Sequence, residues 1–430
     1  MDKNEIAVFW FRRDLRLDDN TGLRRALESG LPVLPLFIFD ESILDDLPET
    51  DARVTFIYRQ LETIHRKLES VGSGLVVKKG KPLELWKVLN DEFNIKKVFF
   101  NKDYEPYART RDQKVIDLLL SKGIAVYATK DQVIFEKDEI LKEDGTPYTV
   151  YTPYKNKWLD HFKKIRISFD DEDTGLSGFI DHKTDFPGLE SIGFKVSKIG
   201  VPDYKLDVMD DYGKYRDFPA RDHTSHVSTH LRFGTVSIRK LVQLAAQKNP
   251  TFLSELIWRE FFMQILYQFP KVVTENFKSQ YDGIKWRNDE IEFDKWCRGE
   301  TGYPIVDAGM RQLNTTGFMH NRVRMITASF LCKHLLIDWR WGERYFAKKL
   351  LDYELAANNG NWQWGVGTGC DAAPYFRIFN PTTQMEKFDK DLEYVKKWVP
   401  EFRSVAYKPI VEHTFARQRA IDTYKAGLKK

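Results

Sequence analysis

The chain has 430 residues, too many for one ordinary hydrophobic core, which predicts two domains and a connection between them. Hydrophobic residues make up 42% of the sequence and charged residues 30%, a balance that excludes a disordered or collagen-like chain. The net charge of +4 is small for this length, so binding of nucleic acid would depend on local clusters of Lys and Arg.

Cysteine usage and hydropathy exclude further classes of protein. Cys297, Cys332 and Cys370 lie far apart without a CxxC pair, which predicts buried thiols in a reducing compartment and no metal site. The start, Met1 to Glu5, is unlike the basic start of a secretory signal, and no apolar run reaches the roughly 18 residues that cross a bilayer. These features predict a cytoplasmic protein that has no membrane partner.

Short apolar runs alternate with helical patterns through the first 130 residues. Apolar residues from Val54 to Leu68 recur at intervals of three and four, the period of one helix face. Similar patterns at Leu83 to Leu89 and Val115 to Leu120 complete a βαβ alternation, which predicts a doubly wound, mostly parallel sheet. The predicted strands are Ile6 to Phe11, Val33 to Phe39, Gly74 to Val77, Val98 to Phe100 and Ile124 to Ala128.

Common phosphate-binding motifs are missing from this sequence. No GxGxxG follows the first predicted strand, where the chain continues from Phe11 to Arg16 as FRRDLR, and no P-loop GKS/T occurs. The glycine-rich stretch Gly365 to Gly369 follows no predicted strand. A tight loop is therefore favoured there over a phosphate-binding loop.

The periodicity fades between about residues 166 and 205. The acidic run Asp170 to Asp173 and the glycines that follow it predict a connecting segment that wraps over the surface. Beyond residue 206 the pattern becomes helical, so we expect an α/β domain at 1–130, a connection at 131–205 and an all-helical domain at 206–430. The predicted helices include Glu255 to Phe269, Pro304 to Leu313, Asn321 to Leu336 and Glu343 to Leu355.

Polar residues of the helical half stand where they could act on a ligand. Thr224 to Ser228 puts three hydroxyls before a helical stretch, where they would cap the helix or hold a phosphate, and the spacing alone favours capping. Glu255 and Trp258 share a helix face. That pair fits either an arginine-bound carboxylate beside a core indole or a surface on which a base stacks.

Further along, Asn321 and Met325 lie one helical turn apart. Asp352 and Glu354 stand near the end of a predicted helix, where the dipole disfavours acids, so Arg324 is a candidate partner. In the helical turn from Asn358 to Trp364, two indoles two positions apart would point about 200° away from each other and serve different neighbours.

Together these motifs closely resemble those of the DNA photolyase and cryptochrome family. The likeness spans nearly the whole chain and is densest from 252 to 390. It is carried by Phe11 to Leu15, Tyr212, Thr224 to Ser228, Glu255 to Glu260, His320 to Arg322, Asn358 to Trp364 and Asp371 to Pro381.

The resemblance implies an α/β domain followed by a helical domain that holds FAD, with fully reduced FAD as the active form. Arg324 would pair with Asp352. The residues bordering the flavin phosphates would be Tyr212, Thr224, Ser225, His226, Val227 and Ser228, and those nearer its ring and ribityl chain would be Asp352, Glu354 and Asn358.

The resemblance further implies light-driven repair of DNA that contains cyclobutane pyrimidine dimers, with the dimer flipped out of the duplex. Glu255 would hydrogen-bond the dimer and stabilise charge that develops on it. Trp258 and Trp364 would form flat walls, while Asn321 and Met325 complete the pocket. Contacts along the DNA would come from Arg216, Arg259, Arg322, Arg377 and Gln384.

Three tryptophans match the family's electron-transfer chain, which returns oxidised flavin to its reduced form. They are Trp286, Trp339 and Trp362. Because of this match, electron transfer is favoured over plain core packing for these indoles.

The resemblance also bears on the substrate. Relatives that repair the (6-4) photoproduct need a histidine for proton transfer where this chain has Asn321 and Met325. This favours the cyclobutane dimer and a likeness to microbial class I enzymes. The alternative is a cryptochrome-type blue-light sensor without repair activity. Asn358, the intact substrate wall and the end at Lys430 without a long tail favour repair.

The second chromophore of this family is less well defined by the sequence. Tyr107 and Ala108 stand where folate-binding relatives carry an asparagine and a glutamate, which argues against a folate antenna. A deazaflavin, another pigment or none are the alternatives. We expect a monomer with no obligate protein partner.

Overall fold

The computed structural model describes residues 4–167, 169 and 176–428. Within them the α-helices and β-strands are numbered in chain order. The acidic run Asp170 to Asp173 of the predicted connection lies outside the described residues, as do Met1 to Lys3 and the last two residues. The strands are β1 (Glu5–Phe11), β2 (Val33–Asp40), β3 (Val76–Gly80), β4 (Asn94–Asn101) and β5 (Ala125–Thr129).

Helices make up most of the remaining regular structure. Those in the first half are α1 (Thr21–Leu27), α2 (Glu41–Leu44), α3 (Ala52–Glu69), α4 (Pro82–Glu92), α5 (Pro106–Ser121) and α6 (Tyr151–Phe162). Those that follow are α7 (Tyr212–Tyr215), α8 (Val227–Phe233), α9 (Ile238–Lys248), α10 (Pro250–Gln268), α11 (Glu290–Arg298), α12 (Pro304–Thr316), α13 (Asn321–Ser329), α14 (Trp339–Lys349), α15 (Leu355–Val366), α16 (Pro381–Phe388), α17 (Glu393–Trp398) and α18 (His413–Gly427).

The first compact unit contains a parallel five-stranded sheet. It comprises Met1–Glu139, Asp160–Tyr204 and His226–Gln247. The strand order is β3-β2-β1-β4-β5, so the chain starts in the middle of the sheet and builds outward in both directions. The predicted doubly wound α/β fold is therefore confirmed.

Helices cover both faces of this sheet, so its central strands are buried on both sides. Phe9 and Phe11 of β1 pack on one face with residues of α1 and α3, whereas Val8 and Trp10 pack on the other with residues of α4 and α5. A strand buried on both sides is apolar throughout, which explains why β1 and β2 are continuous hydrophobic runs in the sequence. Part of the predicted connection joins this core through Leu189.

All five predicted strands are present, although their bounds differ. The third runs from Val76 to Gly80, two to three residues later than predicted, and β4 is longer at both ends. The sequence pattern missed α1, a seven-residue helix whose N-cap, Asn20, accepts a hydrogen bond from the backbone of Leu23. It also missed α6, which lies within the stretch predicted as a connection.

The second compact unit is mostly helical. It comprises Ile140–Leu159, Lys205–Ser225 and Lys248–Lys430. Its core contains the fully buried Trp296, Trp339 and Phe330, surrounded by residues from α11 to α18. The all-helical character of this half is confirmed, while the predicted boundaries at residues 130 and 205 stay predictions.

Two helices are shorter than the sequence pattern predicted. The helix predicted from Glu343 to Leu355 is wrong, because α14 ends at Lys349 and a separate helix, α15, begins at Leu355. Glu354 is the N-cap residue of α15, so it lies at the end of a helix where the dipole favours an acid. The helix predicted to reach Leu336 ends as α-helix at Ser329 and continues as a π-helix, Phe330–His334.

All three cysteines are free thiols. Cys297 and Cys332 are buried as predicted, whereas Cys370 is only partly buried. No helix formed by residues 4–167, 169 and 176–428 combines the length and the apolar character needed to cross a membrane. In that same part of the chain, no three His, Cys, Asp or Glu side chains come together as metal ligands.

Candidate active site

Helix α10 carries the first group of predicted site residues. Its N-terminus is fixed by Asn249, whose side chain accepts hydrogen bonds from the backbone of Thr251 and Phe252, both 3.0 Å long. One turn further on, Glu255 Oε1 accepts a 2.6 Å hydrogen bond from Nη1 of Arg216. Glu255 is thus an arginine-paired carboxylate, one of the two alternatives that its spacing allowed.

Arg259 lies one turn beyond Glu255 on the same side of α10. Its Nη2 donates to Oε1 of Glu354 over 3.2 Å, and both side chains are largely buried. The structure therefore pairs Arg259 with a residue predicted to bind the cofactor, and its predicted contact with DNA stays a prediction. A buried pair of this kind fixes the direction of both side chains.

Helix α13 carries the second group. His320 is its N-cap residue, and the ring Nδ1 accepts a hydrogen bond from the backbone of Arg322. Burial lowers the pKa of His320 to about 4, so this ring is neutral near pH 7 and keeps the acceptor that caps the helix. Asn321 is exposed and Met325 is half-buried, one turn apart as predicted.

Arg322 and Arg324 point to different sides of α13, and each pairs with its own acid. Nη2 of Arg322 donates to Oδ1 of Asp217 over 2.7 Å, and Nη2 of Arg324 donates to Oδ2 of Asp352 over 2.9 Å. The predicted pair between Arg324 and Asp352 is therefore present. The other oxygen of Asp352, Oδ1, is buried and has no hydrogen-bond partner among the described residues.

Four ion pairs thus tie α10 and α13 to the same two segments. They are Arg216–Glu255, Asp217–Arg322, Arg259–Glu354 and Arg324–Asp352. The acids at one end, Asp352 and Glu354, keep only 9% and 6% of their side-chain surface exposed, while Glu255 and Asp217 keep 34% and 39%. We call this arrangement the ion-pair frame; it has a buried end at Asp352 and Glu354 and an open end at Glu255 and Asp217.

Trp258 stands beside the open end and is backed by a residue that the sequence did not suggest. The ring of Tyr151 stacks on the Trp258 indole at 3.5 Å, with the two planes 9° apart. The Tyr151 hydroxyl is held in turn by Ser254, 2.7 Å away. Tyr151 lies 107 positions before Trp258 in the sequence, so no local pattern could pair them. Trp258 is half-buried, and its plane is fixed by this stack.

Asn358 in α15 also has an unpredicted partner. Its Nδ2 donates to Oε1 of Glu343 in α14 over 2.9 Å, and burial raises the pKa of that glutamate. The bond fixes which edge of the amide faces Glu343. In the same helix Trp362 is buried and Trp364 is half-buried, so the two indoles do face different surroundings.

The three tryptophans of the predicted electron-transfer chain all belong to one hydrophobic core. Trp339 and Trp362 are buried in it, and Trp286 packs against it from a partly exposed position. The Trp339 indole N–H donates to Asn276 Oδ1 over 2.9 Å, and Trp286 contacts Tyr424 edge to face at 5.9 Å between centroids. They therefore pack as core residues, and their redox role stays a prediction.

The residues predicted to border the flavin phosphates lie at the start of α8 and in α7. The N-cap residue of α8 is His226, which has a φ of 53° and forms no side-chain capping bond, so the helix starts without the hydroxyl N-cap that the spacing favoured. Ser225 and Val227 are buried, whereas Thr224 is half-buried and Ser228 is exposed. In α7, Tyr212 packs edge to face on Phe252, and burial raises its pKa to about 12.

Two residues predicted to touch DNA are not members of the ion-pair frame. Arg377 is exposed, with its guanidinium 5.7 Å from the ring centroid of Phe379. Gln384 is half-buried on α16. Phe388, one turn after Gln384 on the same helix, has its ring 4.4 Å from the guanidinium of Arg322, so α16 borders the ion-pair frame. The frame itself includes Arg216, Arg259 and Arg322 of that predicted set.

The chain thus joins a doubly wound α/β unit to a mostly helical unit that holds the buried acids Asp352 and Glu354, a two-unit architecture. Comparison with protein families narrows this class. Residues 7–172 match the DNA photolyase family, and residues 252–429 match the FAD binding domain of DNA photolyase. The chain therefore belongs to the DNA photolyase family, which confirms the resemblance seen in its motifs.

Individual relatives agree over nearly the whole length. A deoxyribodipyrimidine photo-lyase from Halobacterium salinarum is 39% identical, covering 93% of this chain and 90% of that protein. The crystal structure of a bacterial class III photolyase from Agrobacterium tumefaciens superposes with a TM-score of 0.88 at 34% identity, over 100% of this chain and 99% of the other. The structure of an archaeal photolyase from Sulfolobus tokodaii with two FAD molecules superposes with a TM-score of 0.86 at 34% identity, over 98% of this chain and 99% of the other. The prediction of a photolyase enzyme with an FAD-binding domain is confirmed.

Proposed function

We propose that this protein repairs cyclobutane pyrimidine dimers in DNA by light-driven electron transfer from reduced FAD. The observation that carries the proposal is the ion-pair frame, which sets a buried acceptor, Asp352 Oδ1, at one end and the arginine-bound Glu255 at the other. A small cofactor fits the first position and an extruded nucleotide pair fits the second. The names of the full-length relatives support the same substrate.

The buried end suits the ring of a flavin. A buried oxygen without a hydrogen-bond partner costs free energy, and Asp352 Oδ1 calls for a donor such as the imide N–H of that ring. Asp352, Glu354 and Asn358 would hold the ring and ribityl chain, while Tyr212 and the segment from Thr224 to Ser228 would border the phosphates. Fully reduced FAD, excited by blue or near-ultraviolet light, would supply the electron that splits the dimer.

At the open end, Glu255 would hold the dimer by hydrogen bonding. Its partner Arg216, 2.6 Å away, keeps a positive charge next to the bound lesion. The pKa of Arg216 is raised, because Glu255 and nearby Tyr212 outweigh the effect of burial, so this charge is permanent. A fixed positive charge would stabilise negative charge that develops on the dimer.

The remaining pocket residues would select the lesion by shape. Trp258, held by Tyr151, and Trp364 would offer flat surfaces to the flipped bases, and Asn321 and Met325 would close the pocket. Neither of those two side chains transfers protons, which fits a cyclobutane dimer better than a (6-4) photoproduct. Arg322, Arg377 and Gln384 would contact the DNA backbone, whereas Arg259 would act at the cofactor end through Glu354.

Replacement of Glu255 tests this proposal. We expect Glu255→Ala to lower the repair yield per absorbed photon roughly tenfold or more, because a hydrogen bond to the reacting group is lost. FAD content should stay unchanged, since Glu255 lies at the open end. Glu255→Gln, which keeps a hydrogen-bonding group, should lose less. The matched control is Glu290→Ala, an exposed acid at the start of α11.

The measurement is dimer loss under calibrated blue light, with flavin content determined by absorbance. An unchanged yield in Glu255→Ala would reject the role of Glu255. A wild-type protein that binds FAD and responds to light without removing dimers would instead favour the sensor function.

We infer, in addition, that any antenna pigment is not a folate. Tyr107 stands at the position of a folate-binding asparagine, and its hydroxyl donates to Asp40 Oδ2 over 2.7 Å. Asp40 also lies 3.5 Å from Arg111, so the tyrosine belongs to a cluster of charged side chains. A flavin, as in the relative with two FAD molecules, or a deazaflavin fits the proposal; chromatography of the extracted pigments that detected folate would contradict it.

We also propose that the protein acts on DNA as a monomer. No partner residue is needed to complete the ion-pair frame, since all of its members belong to one chain. A mass of about twice 50.6 kDa by light scattering, at working concentration, would contradict this.

A further inference from the structure

Arg322 is held on several sides before any DNA is bound. Nη2 donates to Asp217 over 2.7 Å, the guanidinium lies 4.4 Å from the centre of the Phe388 ring, and Nη1 is 3.9 Å from Met325 Sδ. Its Nε is buried and has no hydrogen-bond partner among the described residues. The fork of this arginine therefore has one fixed direction, next to a residue of the proposed dimer pocket.

The pair with Asp217 is too exposed to be explained by stability. Asp217 keeps 39% of its side-chain surface exposed and Arg322 keeps 20%. An ion pair in such a position typically contributes little to the stability of the fold. An acid beside an arginine that contacts DNA also costs binding energy, because it competes with phosphate for the same donor.

Asp217 follows Arg216 directly, and the two residues serve opposite helices of the ion-pair frame. Arg216 bonds to Glu255 of α10, and Asp217 bonds to Arg322 of α13. One short segment thus sets the direction of a carboxylate and of a guanidinium on both sides of the proposed pocket. Without Asp217, the flexible side chain of Arg322 could bind phosphates from many directions. Paired with Asp217, it can bind only a DNA backbone that comes close to Met325.

We propose that Asp217 is a specificity-determining residue that positions Arg322 for the backbone beside an extruded dimer and withholds its charge from undamaged DNA. The inference rests on the proposed function and names a residue that sets its selectivity. The backbone of an intact duplex stays outside the pocket, where the charge of Arg322 is neutralised by Asp217. The DNA backbone next to a flipped lesion would reach the N–H groups of Arg322, because Nη1 of this arginine lies 3.9 Å from Met325 Sδ, in the proposed pocket.

The test is Asp217→Asn, which keeps the shape and removes the charge. We expect undamaged duplex to bind roughly three- to tenfold more tightly, with the slope of log affinity against log salt concentration steeper by about one unit. Affinity for the same duplex with one cyclobutane dimer should change less than twofold, so discrimination falls. Asp217→Glu, which restores the acid, should return discrimination towards the wild-type value. Fluorescence anisotropy over a salt series measures the affinity of each variant for both duplexes, from which the salt slope and the discrimination follow.

Two comparisons separate this role from a general effect of charge. Asp210→Asn removes the same charge from an exposed pair with Lys248 in the same unit and should leave discrimination unchanged. In an Arg322→Ala background, Asp217→Asn should have no further effect on binding, because Asp217 acts through that arginine.

Equal tightening of damaged and undamaged DNA in Asp217→Asn, or the same loss of discrimination in Asp210→Asn, would overturn the inference. A wild-type protein that did not prefer the dimer at all would instead overturn the proposed function, on which this inference rests.

Discussion

At the scale of single residues, the site depends on which polar atoms lack a partner and which are already held. Asp352 uses Oδ2 for Arg324 and keeps Oδ1 buried without a partner among the described residues. Glu255, Asp217 and Glu354 each have an arginine. Among the described residues, Asp352 Oδ1 is thus one of the buried polar atoms of this part of the molecule that call for a ligand, as are Nε2 of His320 and Nε of Arg322.

Asp352→Asn is expected to weaken FAD retention roughly tenfold or more. The substitution keeps the size of the side chain but removes the charge that holds Arg324 and that, in the proposed site, would strengthen a hydrogen bond to a flavin N–H. Equilibrium dialysis of FAD, with flavin fluorescence as the readout, measures the change. Asp294→Asn is the matched control, since it breaks an exposed pair with Arg298. Equal retention of FAD by both variants would contradict the assignment.

The sequence predicted some partners of the site residues and missed others. Arg324 and Asp352 were matched because acids near a helix end require compensation, although Glu354 in fact begins a new helix. Asp217 and Tyr151 were not found, because their partners lie 105 and 107 positions away and no short-range pattern links them. Residue types and local spacing therefore predicted candidates, while tertiary packing chose their partners.

At the scale of elements, the break between α14 and α15 positions the acids of the site. The segment from Leu350 to Glu354 leaves the helical conformation, which puts Asp352 and Glu354 within reach of arginines from two other helices. A periodicity argument runs straight through this break, because Leu350, Leu351 and Leu355 continue an apolar pattern. The helices were predictable from their periodicity, but the break was not.

Close packing of α14 against α15 depends on Gly342. A Cβ atom built on this glycine would lie 2.1 Å from the ring of Trp362 and 2.6 Å from a methyl group of Leu331, both buried. Only a residue without a side chain allows this approach. Sequence periodicity marks Gly342 as a helical position but gives no sign of the indole above it.

Gly342→Ala is therefore expected to lower the free energy of unfolding of the helical unit by about 1–3 kcal/mol, the usual cost of overpacking. Gly365→Ala in α15 is the control, because its Cβ would meet nothing closer than 4.0 Å. That change should be neutral or stabilising by up to about 1 kcal/mol, since alanine favours helix. Urea denaturation followed by tryptophan fluorescence compares the two, and equal stability of both variants would show that α14 tolerates the extra methyl group.

At the scale of the whole molecule, the fold class followed from the switch in periodicity along the chain. Alternating strand and helix patterns predicted the parallel sheet, which is confirmed, and the observed order β3-β2-β1-β4-β5 is one of the few that such a chain adopts. The order itself was not predicted, because apolar strands buried on both faces carry no information about their neighbours. Membership of the photolyase family required motifs spread over nearly all 430 residues, since no single motif was specific.

The helical unit also separates two tasks that a light-driven repair enzyme must perform. The ion-pair frame would hold cofactor and lesion, while the three tryptophans lie in the hydrophobic core and extend to the partly exposed Trp286. Trp339 and Trp362 are too deeply buried to be replaced without loss of packing. Trp286 is the member whose redox role can be tested apart from its structural role.

Trp286→Phe should slow light-driven reduction of the oxidised flavin at least tenfold, because phenylalanine keeps an aromatic contact with Tyr424 but is much harder to oxidise than indole. Repair by chemically reduced enzyme should remain within about twofold of wild type, since the lesion would bind at the ion-pair frame. Trp398→Phe, another half-buried indole against the same core, controls for the loss of one ring. Flavin absorbance under blue light with an external reductant measures the first rate, and dimer loss after dithionite reduction measures the second. A parallel loss of both activities would make Trp286 a packing residue, and an unchanged photoreduction rate would place the entry of electrons elsewhere.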